Sequence, residues 1–106
     1  MNEIEPTAAN MPTTQELVAQ LRELQKQFAP PTWEEVMPDW KWLHAWMADA
    51  SLPPARPRQD CWVAVMSQQI VGTGLDPLAL RLQKARELRI HPERLVVTYI
   101  ACTESW

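Results

Sequence analysis

Apolar positions along the chain fall into helix-like stretches divided by proline and glycine, behind a polar lead. Residues 1–13 carry Pro6 and Pro12 and show no apolar period, the pattern of a flexible N-terminal arm. From Thr14 onward Leu17, Leu21, Leu24 and Phe28 recur at intervals of four, three and four among Gln, Glu, Arg and Lys. That spacing predicts a helix with a narrow apolar stripe. Pro30 and Pro31 end it, because neither can donate a backbone hydrogen bond and each restricts its predecessor.

Thr32 with Glu35 three residues on has capping-box spacing and opens a second helical element. Pro38 interrupts it, and Asp39 reads as the cap of a firmer helix from Trp40 to Ala50, kinked at the proline. Residues 51–58, with Pro53, Pro54 and Pro57, read as an extended surface segment. Asp60 then caps a third predicted helix, CWVAVMSQQIV, which is apolar around most of its circumference and ends at Gly72 and Gly74. Asp76 and Pro77 are a cap and a first-turn proline, opening a fourth helix to about Ile90.

The last stretch, residues 94–102, has two readings. Its β-branched density suits a strand, whereas the proline followed by Glu before it is a helix start, and Leu95, Val96, Tyr99 and Ile100 share a helical face. The first expectation is therefore an all-α domain over residues 14–106, a compact bundle of four to five helices. The alternative is an α+β fold in which residues 61–66 and 94–102 are strands.

Composition narrows the function classes. A chain of 106 residues holds one core at most, and with two glycines few positions remain for a phosphate-cradling loop. The net charge is −3, so no general attraction to nucleic acid or anionic membrane operates. Charge is nevertheless divided: eight acids and three bases stand in residues 1–53, five acids and seven bases in residues 54–106. The acidic start lacks a basic region followed by an apolar core, and no apolar run approaches the roughly 20 residues of a bilayer span. A cytoplasmic protein with Cys61 and Cys102 reduced is the expectation.

Six tryptophans are more than one small core requires, and four of them lie between Trp33 and Trp46. With about 100° per residue and Trp40 at zero, Trp33, Val36, Leu43, Met47 and Ala50 form the predicted core stripe. Trp42 and Trp46 fall at its edge, where partly exposed rings would anchor a partner. The competing reading makes all these rings core filler.

A second constellation has the outline of a helix-turn-helix: residues 60–71, a glycine turn, then a helix carrying Arg81, Lys84, Arg86 and Arg89. Its cations straddle the predicted apolar side instead of covering the opposite one, with Leu80 and Glu87 on the far side, which disfavours groove reading. His44, His91, Cys61 and Cys102 match neither paired CxxC nor HxxxH spacing, and no nucleophile elbow accompanies either cysteine.

These features point to a non-enzymatic protein-binding module, an adaptor, assembly chaperone or inhibitor of a larger protein, with no catalytic residue, metal or cofactor. Its expected contact surface is Trp42, Trp46, Arg56 and Arg58. Nucleic-acid binding through Arg81, Lys84, Arg86 and Arg89 is the alternative. Leu17, Leu21, Leu24 and Phe28 have the spacing of a coiled-coil seam, which offers a homodimer through that stripe.

Overall fold

The computed structural model describes residues 12–49, 51–57 and 59–101 of the chain. Among these residues three α-helices, α1 (Thr14–Gln25), α2 (Trp33–Ala48) and α3 (Pro77–Leu88), enclose a sheet of three strands, β1 (Cys61–Met66), β2 (Gln69–Gly74) and β3 (Val96–Ile100). The strands lie in the order β2-β1-β3, and β1 is antiparallel to both neighbours. The fold is α+β, and the expected all-α bundle of four to five helices is overturned by this sheet.

The physical reason lies in Cys61–Met66. Its all-round apolarity, which suggests a central helix, is equally what a strand covered on both faces displays. Cys61, Val63 and Val65 meet Leu43 and Trp46 of α2, whereas Ala64 joins the cluster of α1 and α3. The hairpin to β2 turns at Ser67 and Gln68, both in the left-handed region at φ 56° and 60°. Two-residue turns of that kind match the twist of the strands. Gly72 and Gly74 do not stop a helix; they sit inside β2, and at Gly72 the missing side chain makes room for the stem of Lys84. At the end of the chain the proline start signal yields one 3₁₀ turn, Pro92–Arg94, and the β-branched run after it is a strand.

Local signals explain the helices. Thr13 Oγ1 accepts the Glu16 N–H at 3.1 Å while Glu16 Oε1 accepts the Thr13 N–H at 2.7 Å, a complete capping box. Thr32 and Glu35 repeat the arrangement at 2.8 and 3.2 Å. The Asp76 carboxylate accepts the N–H groups of Leu78 and Ala79 at the start of α3. Pro38 lies inside a continuous α2, so Asp39 is an interior residue of the helix and not its cap. Of the expected arm, residues 1–11 lie outside the described residues.

Two cores result. On one face of the sheet Leu43 and Trp46 of α2 pack on Val63, Val65, Val96 and Ile100. On the other, Leu80, Leu82 and Ala85 of α3 bridge Ala64 to Leu17, Leu21 and Leu24 of α1. Leu80, expected on the far side of its helix, is buried, because α3 is covered by the sheet and by α1 together.

Asp39 joins the layers. It is buried, its Oδ1 accepts the Gln68 N–H at 2.8 Å and its Oδ2 accepts from Arg94 Nη1 at 2.6 Å. A helix, a hairpin turn and the approach to β3 thereby meet on one carboxylate.

Candidate functional site

β3 is an edge strand, and no described strand pairs with its outer side. Its sequence, VVTYI, contains no charge and no proline, and the sheet's irregularity falls between β1 and β2, not here. Native edge strands are commonly blunted by such devices against pairing with other chains. This edge lacks them.

A cavity of about 340 Å³ opens where β3 begins. Leu95, Val96 and Val97 contribute from the strand side, Trp33, Val36 and Trp40 from α2. Trp33, the first residue of α2, is 61% exposed, while Val36 and Met37, one turn along the helix, are half-buried. Further along, Tyr99 is 45% exposed and meets Trp62 edge to face at 5.5 Å. Its hydroxyl is hydrogen-bonded to Asp60, which together with burial holds its pKa above the usual tyrosine value.

Arg81 shapes the floor of the same cavity. Its Nη1 donates to the carbonyls of Pro92 at 2.7 Å and Leu95 at 2.9 Å, holding the 3₁₀ turn that feeds β3. Burial lowers its pKa, and the nearby Glu93 carboxylate works in the opposite direction.

The expected contact residues are placed differently. Trp46 is fully buried and its indole N–H donates to the Pro54 carbonyl at 2.7 Å. Trp42 is half-buried and stacks on Trp46 at 6.0 Å with the planes 5° apart, and the Arg56 guanidinium lies 4.3 Å from the Trp46 ring centroid. Trp42, Trp46 and Arg56 thus do come together, as an internal stack that fastens the proline segment to α2. Among the described residues the exposed tryptophan is Trp33, assigned from the sequence to the core. Arg58 lies outside the described residues.

The other expectations sort as clearly. Residues 60–74 form a β-hairpin, so no helix-turn-helix exists there. Of its proposed cations, Arg81 is bound to carbonyls, Lys84 pairs with Glu87 at 2.9 Å, and Arg86 and Arg89 have no carboxylate partner among the described residues. Leu17, Leu21 and Leu24 are buried against the chain's own α3, which leaves little of that stripe for a second copy. Cys102 lies outside the described residues, and among them no three His, Cys, Asp or Glu side chains gather as a metal site needs. The described residues also include no helix long and apolar enough to cross a membrane.

Comparison with protein families, curated proteins and solved structures finds no match in any of the three. The edge and its cavity stand on their geometry alone. The sequence alone did not bring them forward because helix was the first reading of residues 94–102; the β-branched run that supported the strand alternative was the available signal.

Proposed function

We propose that this protein is a non-enzymatic binding module that captures an extended segment of a partner protein along the edge of β3 that no described strand pairs. The carrying observation is the continuity of an unprotected strand edge with an aromatic-walled cavity at its start. In strand addition, main-chain hydrogen bonds supply affinity and alternate side chains of the added strand enter flanking pockets for specificity. Trp33 and Trp40 provide such a pocket here. An exposed indole offers large area at low conformational cost, which is why tryptophan is enriched at the centres of protein interfaces. The role expected of Trp42 and Trp46 passes to Trp33 and Trp40.

The test is co-purification of tagged wild-type and Trp33→Ala protein from the native host, followed by hydrogen exchange on the recovered complex. The partner is expected with wild type only, and the β3 backbone amides that lack a partner in the free protein are expected to gain protection on binding. Retention of the partner by Trp33→Ala, or unchanged exchange across Val96–Ile100, would overturn the reading.

A further inference from the structure

At the C-terminal ends of α1 and α3 two adjoining cavities meet on one aromatic side chain. The larger, about 580 Å³, is lined by Leu24, Phe28, Ala85, Arg86 and Arg89. The smaller, about 300 Å³, shares Phe28 and Arg89 and adds His91 and Arg94. Two observations set this cleft apart from an ordinary polar surface.

The first is uncompensated charge. Arg94 is committed to Asp39 and Lys84 to Glu87, but Arg86 Nη2 donates only to the neutral Gln20 Oε1, at 2.6 Å, and Arg89 has no side-chain partner among the described residues. The one carboxylate lining either cavity, Glu35, is held by the Thr32 N–H in the capping box of α2.

The second is the backbone at Arg89. It caps α3 in the left-handed region, φ 57° and ψ 54°, where Gly or Asn is the ordinary occupant. A cation in the last turn complements the helix dipole, which accounts for Arg86. It does not account for arginine at a position whose backbone disfavours it. Such local strain concentrates where a side chain has a task.

We propose that this cleft binds an acidic peptide segment in which an apolar side chain lies between carboxylates. The carboxylates pair with the guanidinium forks of Arg86 and Arg89, a geometry that bidentate hydrogen bonding favours. The apolar side chain rests on Phe28 and Leu24. A nucleic-acid backbone fits less well, since two free arginines make no track along successive phosphates. Binding here requires no pairing at β3.

The experiment uses the full chain and fluorescein-labelled Glu-Phe-Glu-Leu-Glu, its counterpart Gln-Phe-Gln-Leu-Gln, and a ten-thymidine oligonucleotide. The acidic peptide is expected to bind about tenfold more tightly than its amide counterpart. That preference should shrink between about 50 and 500 mM salt. Arg89→Gly is expected to lose the preference while raising the Tm, because it removes the strained backbone; Arg86→Gln is expected to weaken it with a small fall in Tm, because the last-turn cation and its bond to Gln20 are lost. No binding of the acidic peptide, equal binding of the two peptides, tighter binding of the oligonucleotide, or a preference surviving in both variants overturns the proposal.

Discussion

Arg94 Nη1 reaches Asp39 Oδ2 across 2.6 Å, binding the turn that precedes β3 to the middle of α2, while the second oxygen of the same carboxylate holds the Gln68 N–H. The carboxylate is buried and the guanidinium largely so. Removing one partner of such a pair leaves the other charged and desolvated, which costs about 3–5 kcal/mol. Arg94→Ala is therefore expected to destabilise the fold by about that amount in urea unfolding. Asp39→Asn, which retains an acceptor for Gln68, should cost less than Asp39→Ala, which strips both bonds. Equal losses for Asn and Ala would show that the Gln68 contact contributes nothing.

Ser67 and Gln68 turn the hairpin in left-handed backbone that neither residue favours. Gln68→Gly keeps the backbone N–H that Asp39 accepts and relieves one of the two. It is expected to stabilise by about 1 kcal/mol, or roughly 4–8 °C in Tm for a domain of this size. A fall in Tm would mean that the Gln68 side chain makes contacts worth more than the backbone relief.

Cys61, at the start of β1, is buried, and burial together with the charge of Asp60 pushes its thiol above the ordinary cysteine value. The neutral thiol is thus favoured by folding. Its contribution to stability is fully present below the unfolded thiol's value, about 8.5, and is lost as pH rises through the higher folded one. In a Cys102→Ser background, iodoacetamide labelling of the native protein should be slow at neutral pH and should rise with a midpoint above that of the unfolded chain. A midpoint at or below the unfolded one would contradict the burial.

The helices were legible in the sequence because their caps are local: Thr13 with Glu16, Thr32 with Glu35, and Asp76 before Pro77 each act within three residues. The sheet was legible only as the second reading, with residues 61–66 and 94–102 as strands, for two reasons. Strand and buried helix look alike in a six-residue apolar run such as Cys61–Met66, and the turn that would have decided between them is Ser67-Gln68 in place of a recognisable Asn-Gly. The phase of α2 failed for a different reason. Reading Asp39 as a cap leaves it out of the helix and centres the stripe on Trp40, but its burial with Arg94 and Gln68 turns the inward face toward Leu43 and Trp46. Trp33 and Met47 then turn outward, and both are exposed. One charged residue in the core, paired over 55 positions of sequence, decides which tryptophans meet solvent.

That rotation gives the two tryptophans opposite expected phenotypes. Trp46→Ala removes a fully buried indole, its bond to the Pro54 carbonyl and the ring on which Trp42 and Arg56 rest, and is expected to cost about 3–5 kcal/mol. Trp33→Ala removes a ring that is 61% exposed at the first turn of α2, and its effect on stability should stay within about 0.5 kcal/mol. Thermal unfolding of the two variants separates them directly. If instead Trp46→Ala unfolds at the wild-type temperature and Trp33→Ala does not, α2 presents its other face to the sheet, and the aromatic wall assigned to the β3 cavity belongs to the core.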